Sequence, residues 1–135
     1  KVSDEAAKLI QVTQDSFFEG LKYVKAGNHL HEISAAIQKY VEANGFSIVR
    51  DLVGHGIGTE LHEEPQVPNY KPIGRGPKLQ AGMVIAIEPM VNAGTHKVRI
   101  LEDDWTIVSS DHSLSAHYEH TVLVTEEGYE LLTEV

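Results

Sequence analysis

The sequence predicts an α+β fold, with two helices packed on one face of a mainly antiparallel sheet. Three observations carry this. Apolar residues recur at helical spacing as far as Val41. From Ile48 onward the apolar runs are short and rich in Val and Ile, with glycine and proline between them. No internal repeat, low-complexity tract or linker divides the chain, so residues 1–135 read as one domain.

Ser3 suits a helix N-cap, and Asp4 and Glu5 suit the positive end of the helix that follows. Ala6, Ile10, Thr13, Phe17, Leu21 and Val24 then recur at spacings of four and three, which predicts a helix over 4–24. Lys25 and Gly27 close it. Leu30, Ile33, Ile37, Tyr40 and Val41 predict a second helix, ended by Asn44-Gly45. A strand is expected over 48–53, broken by Gly54, Gly56 and Gly58. Residues 65–77 hold four of the five prolines and are expected to form an irregular loop. Further strands are expected over 84–91, 105–108 and 117–124, with turns at Gly94 and Asp103-Asp104.

Composition narrows the function classes. Hydrophobic residues make up 41% and charged residues 23% of the 135, the balance of a folded chain. A net charge of -9 disfavours nucleic acid and anionic membranes, so neither is expected as a partner. The absence of cysteine excludes disulfides, zinc–thiolate sites and a Cys nucleophile. It fits a reducing compartment, and the expected location is cytoplasmic. No apolar run has the length of a membrane span. Lys1-Val2-Ser3-Asp4 does not open a signal peptide, because no apolar stretch follows a basic one. A first residue other than methionine leads to the expectation that the chain begins inside a longer product.

Two carboxylates stand out. Val84-Ile85-Ala86-Ile87 runs into Glu88-Pro89, and a carboxylate ending an apolar run is costly unless a metal, a base or hydrogen bonds hold it. The last strand repeats the pattern, with Glu119 in His117-Tyr118-Glu119-His120-Thr121-Val122. Alternation sets Glu119 on one face with His117 and Thr121. One such glutamate alone would ordinarily face solvent; the pair can converge on one side of a sheet. Two imidazoles join them. His55 lies in Gly54-His55-Gly56-Ile57-Gly58, where glycines allow a side chain to be aimed from a tight loop. His62 lies in Leu61-His62-Glu63-Glu64-Pro65. Neither His62-Glu63 nor His31-Glu32 completes H-E-x-x-H, and the glycines do not match the phosphate-cradling G-x-G-x-x-G. Ser109-Ser110-Asp111-His112-Ser113 lacks the G-x-S-x-G elbow of serine hydrolases. His117 and His120 flank Glu119, in place to support a ligand from outside. His29, His31, His96 and His112 look like surface residues near turns. His55, His62, Glu88 and Glu119 thus combine nitrogen and hard oxygen donors, a mix suited to Mn, Fe, Co or Zn.

In order, Gly54-His55-Gly56-Ile57-Gly58, His62-Glu63-Glu64-Pro65, Ile87-Glu88-Pro89, Asp104-Trp105-Thr106 and Tyr118-Glu119-His120-Thr121 closely resemble the signature segments of type I methionine aminopeptidases. Gly45-Phe46-Ser47-Ile48-Val49-Arg50 extends the likeness over nearly the whole chain. The resemblance implies half of a pita-bread fold, in which two related halves surround a dinuclear metal centre. It implies removal of the initiator methionine from new polypeptides, with an N-terminal methionine peptide as substrate and two divalent ions (Mn, Fe, Co or Zn) as cofactors. It implies that His55, Glu88 and Glu119 are metal ligands, with Glu119 bridging both ions. Glu88 would also be the general base and acid. His62 would be catalytic and substrate-binding, reaching the scissile carbonyl, and Trp105 would border the methionine pocket.

The family's two aspartate ligands have no counterpart here, so the chain is expected to be the C-terminal half of the catalytic domain. Its partner would be the N-terminal half, and the fragment alone would be inactive or weakly active. Prolidase and aminopeptidase P resemble the same fold and metal set, but the unbroken His62-Glu63-Glu64-Pro65 favours the methionine enzyme. The lack of an insertion between His62 and Glu119 favours type I over type II. A non-catalytic peptide-binding fragment is the reading from another class, against which the retention of His55, Glu88 and Glu119 counts.

Overall fold

The computed structural model describes residues 3–50, 54–57, 63–94, 98–100, 107–109 and 114–133. At 54, 55, 57, 63, 64, 98–100 and 107–109 the description is of the backbone.

Helix α1 spans Asp4–Leu21, and the Ser3 hydroxyl accepts from the Ala6 amide at 3.1 Å. It ends three residues before the expected limit, and Val24 is buried from the turn that follows. The buried stripe is Leu9, Val12, Thr13, Ser16, Phe17, Gly20 and Leu21. Ile10, expected in that stripe, is 54% exposed. Leu9 takes the inward place because it continues the Val12–Ser16 edge at helical spacing. The two buried hydroxyls are satisfied inside the helix: Thr13 donates to the Leu9 carbonyl and Ser16 to the Thr13 carbonyl, each at 2.7 Å.

Helix α2 spans Leu30–Ala43 and buries Leu30, Ile33, Ser34, Ile37 and Val41. The Glu32 carboxylate accepts from the His29 amide at 2.7 Å, satisfying a donor at the helix start. Gly45, at φ +83, turns the chain out at the other end. α1 and α2 meet at Gly20, where an added Cβ would lie 2.7 Å from Ile37 Cγ1. His29 and His31 are not idle surface residues. Their Nδ1 atoms lie 2.9 Å and 3.1 Å from the carbonyls of Gly76 and Gly74, pinning the proline-rich loop to α2.

The strands are β1 (Ser47–Ile48), β2 (Gly54–Ile57), β3 (Glu63–Val67), β4 (Val84–Ile87), β5 (Met90–Asn92), β6 (Val98–Ile100), β7 (Ile107–Ser109), β8 (Ser115–His117), β9 (His120–Val124) and β10 (Tyr129–Leu131). They form a five-stranded sheet in the order β10-β9-β4-β2-β3, a three-stranded sheet β1-β5-β8 and a pair β6-β7. Among the described residues every strand pairing is antiparallel.

Several expectations are corrected. The glycine-rich segment is not a break: Gly54–Ile57 is an inner strand, and its register against β3 shifts between His55 and Gly56. Glycine within a strand commonly marks such a bulge. The expected loop over 65–77 begins later, because β3 runs to Val67, and Pro65 is tolerated there because β3 is an edge strand. The strand expected over 84–91 is two strands with Glu88-Pro89 between them, since proline has no amide to donate to the ladder. The strand expected over 117–124 is likewise split, at Tyr118-Glu119. Of the strand expected over 105–108, Ile107–Ser109 is present, and Trp105 lies outside the described residues.

The core joins the helices to one face of the strands. Phe17, Leu21, Ile33 and Ile37 cluster with Ile85, Ile87 and Val122, all fully or nearly fully buried. Such burial stabilises by roughly 1.5 to 3 kcal/mol for each large apolar side chain. Among the described residues, no helix is long and apolar enough to cross a membrane.

Candidate metal centre

Strand pairing brings the two anomalous carboxylates together. β4 pairs with β9 as far as Ile87 opposite His120, and β5 pairs with β8 from Met90 opposite His117. The register is the same on both sides of the interruption, so continuing it sets Glu88 opposite Glu119 and Pro89 opposite Tyr118. The Tyr118 amide donates to the Pro89 carbonyl at 3.2 Å, which keeps the two lines in step. Ile85, Ile87 and Val122 take the helix side, so alternation gives Glu88, Glu119 and His117 the other side.

Glu88, His117 and Glu119 each offer a donor atom, and these atoms all lie within 4.8 Å of one another. Glu88 is half-buried, while Glu119 and His117 are exposed. His117 Nε2 and Glu119 Oε1 are 3.7 Å apart. Like charges directly opposite across antiparallel strands destabilise a sheet, and a bound cation would relieve that repulsion. Two carboxylates and an imidazole also supply the oxygen and nitrogen donors that divalent transition metals take. The residues present therefore fit a metal ion.

The backbone around the pair is held from two directions. The fully buried Asn69 donates from Nδ2 to the Glu88 carbonyl at 3.1 Å. On the other strand, the Tyr118 hydroxyl and His120 Nε2 are 2.9 Å apart, and His120 Nδ1 lies 2.8 Å from Thr133 Oγ1. Thr133 Oγ1 also accepts from the Thr121 amide at 3.0 Å. Phe17 packs edge-on to Tyr118 with ring centroids 5.4 Å apart. Sequence reading missed Asn69, Thr133 and the role of Phe17 here, since no local pattern marks a partner distant in sequence.

His55 is placed by its backbone alone. It pairs with Ala86, whose other neighbour is Thr121, so its row is adjacent to that of Glu88 and Glu119 on the same side. His62 and Trp105 lie outside the described residues. A hollow of about 220 Å³, lined by Glu19, Tyr23, Ala36, Lys39, Tyr40 and Ala43, sits on the helices away from Glu88 and Glu119.

Residues 1–126 match metallopeptidase family M24. The chain belongs to that family. This M24 chain is 58% identical over 132 residues to the methionine aminopeptidase of Clostridium perfringens, an alignment covering 98% of the chain and 53% of that protein. It therefore spans about half the length of the curated relatives it matches. It superposes on the methionine aminopeptidase from Rickettsia prowazekii with a TM-score of 0.95 at 42% identity, covering 99% of this chain and 54% of that one. A prolidase from Pyrococcus horikoshii, at 22% identity and a TM-score of 0.74, covers 98% of this chain and 33% of its own, and shares the fold. The M24 architecture here, two helices against antiparallel strands, is half of the pita-bread fold.

Proposed function

We propose that this chain, over residues 1–135, is the C-terminal half of a cytoplasmic catalytic domain that removes N-terminal methionine from new polypeptides. The observation that carries the reading is the placement of Glu88 opposite Glu119 at a shared interruption of two paired strands. Its likeness to methionine aminopeptidases, at 58% identity to one of them, supports the choice of substrate.

His55, Glu88 and Glu119 would hold the metal, with Glu119 shared between two divalent ions drawn from Mn, Fe, Co or Zn. When bound, such ions supply Lewis acidity and bring the pKa of a water down to ~7. The chain's own residues do the rest. Glu88 takes a proton from the attacking water on its carboxylate and returns it to the departing amine. His62 donates a ring N–H to the scissile carbonyl oxygen as charge develops there. Trp105 lines the apolar pocket that receives the methionine side chain. The N-terminal half of the domain supplies the remaining ligands and closes the site.

A peptide panel tests the substrate class. The chain, combined with the part of a relative's catalytic domain that it does not cover, is offered Met-Gly and Gly-Pro peptides with Mn or Co. Release of methionine from the first and no cleavage of the second is expected. Cleavage next to proline alone would transfer the chain to the prolidase reading.

A further inference from the structure

We propose that His117 is itself a metal-ligating residue, its imidazole joining the Glu88 and Glu119 carboxylates around one divalent transition-metal ion. The proposal rests on the reading above that the two carboxylates are ligands, and adds a nitrogen donor that the family resemblance does not assign.

Three observations lead to it. First, the donors converge: one atom from each of Glu88, His117 and Glu119 falls within 4.8 Å of the other two. Second, the register explains the convergence. His117 stands opposite Met90, two residues from Glu88, and precedes Glu119 by two, so all three share a face of the paired strands. The carboxylate row lies between the row of His55 and Ala86 on one side and the row of His117 and Met90 on the other. Third, the 3.7 Å between His117 Nε2 and Glu119 Oε1 is long for a hydrogen bond. It is near the ~3.4 Å that separates two donors on one tetrahedral ion with bonds of about 2.1 Å. For this pair a movement of a few tenths of an ångström reaches that spacing, and the other pairs start within 4.8 Å.

A surface ion pair between His117 and Glu119 is the simpler account. Such pairs contribute little, and this one does not account for the approach of the Glu88 carboxylate to the same two donors. A single ion answers for all three side chains. Three protein donors leave coordination positions for water and substrate, the arrangement of a catalytic rather than a closed structural site.

The test titrates the 135-residue chain with Co(II), beside His117→Ala, Glu88→Gln and Glu119→Gln, by calorimetry. In parallel, the ring nitrogens of ¹⁵N-labelled wild-type chain are followed as Zn(II) is added. The expected result is a rise of at least about tenfold in the Co(II) dissociation constant for His117→Ala, with a shift of the His117 ring nitrogen at one equivalent of Zn(II). The nitrogen shift needs no variant, so a misfolded substitution cannot obscure it. Unchanged affinity in His117→Ala, with affinity lost in both glutamine variants, would overturn the proposal and leave the carboxylates as ligands. Weakened binding without a ring-nitrogen shift would also overturn it, leaving His117 as a residue that positions Glu119. No Co(II) binding by the wild-type chain, or equal binding by all four proteins, would overturn the proposal together with the reading on which it rests.

Discussion

Glu88 and Glu119 stand opposite one another at the point where β4 and β9 give way to β5 and β8. Both strand pairs keep one register across this gap. The two carboxylates therefore face each other because of backbone pairing, and Pro89 is the reason the ladder opens there. On the reading proposed above, a like-charge pair held in this way would weaken the metal-free sheet and favour a bound cation.

Stability should record both effects. Glu119→Gln in EDTA is expected to raise the thermal midpoint by about 1 to 3 °C, since opposed like charges cost roughly 0.2 to 1 kcal/mol. Excess Mn or Co should raise the wild-type midpoint, because a ligand that binds only the folded state stabilises it. The variant should lose most of that metal-induced rise. Calorimetric melts of both proteins, with and without metal, check this. A variant that melts lower in EDTA yet keeps the full response to metal would remove the repulsion from the account.

Gly20 tests the helix packing that supports the strands. A methyl group at this position would meet Ile37 Cγ1 at 2.7 Å and Ile33 Cγ2 at 3.1 Å. Overpacking of this kind costs about 1 to 3 kcal/mol, against a gain of about 1 kcal/mol in helix propensity. The net cost is up to about 2 kcal/mol, so Gly20→Ala should lower the midpoint by up to about 7 °C. An unchanged or raised midpoint in a melt followed by circular dichroism would show that Ile37 can move aside.

The fold class was legible from periodicity, and the parts that were not have physical causes. Leu30, Ile33, Ile37 and Val41 announced α2 because one buried face repeats every three or four residues. Ile10 was misplaced because two neighbouring stripes of α1 both carry apolar residues, and only packing selects Leu9. The glycines around His55 suggested a break because local propensity cannot reveal an inner strand held by partners on both sides. Glu88 and Glu119 were noticeable singly, as carboxylates in apolar runs. Their mutual register was hidden, since it depends on pairing between residues far apart in the chain. Asn69 and Thr133 carried no signal, as each acts through hydrogen bonds to backbone or side chains distant in sequence.

His62 should matter for turnover and not for metal. In the assembled catalytic domain, His62→Ala is expected to lower kcat by ~10²- to 10³-fold, the usual cost of removing a donor to a developing oxyanion. Bound metal, read by elemental analysis, should stay at the wild-type level. Wild-type kcat in this variant would take His62 out of the mechanism.

The 135 residues on their own should show little or no aminopeptidase activity. His55, Glu88 and Glu119, the proposed ligands that the resemblance assigns to this chain, would enclose two ions less completely than the larger set it implies. Turnover of a Met-Gly peptide with Mn or Co, measured before and after adding the complementary segment, checks this. Equal turnover in the two conditions would show that the chain needs no further ligands.

The central claim is that the Glu88–Glu119 pair is the metal-dependent heart of a methionine-removing site. It is tested most directly by methionine release from a Met-Gly peptide, comparing wild-type and Glu88→Gln chains, each assembled with the complementary segment and supplied with Mn or Co. The account predicts release by the wild-type assembly, abolished by EDTA and lowered at least ~10²-fold by Glu88→Gln, the low end of what general acid–base catalysis contributes. Undiminished release by the Glu88→Gln assembly, or release that EDTA leaves intact, would contradict it.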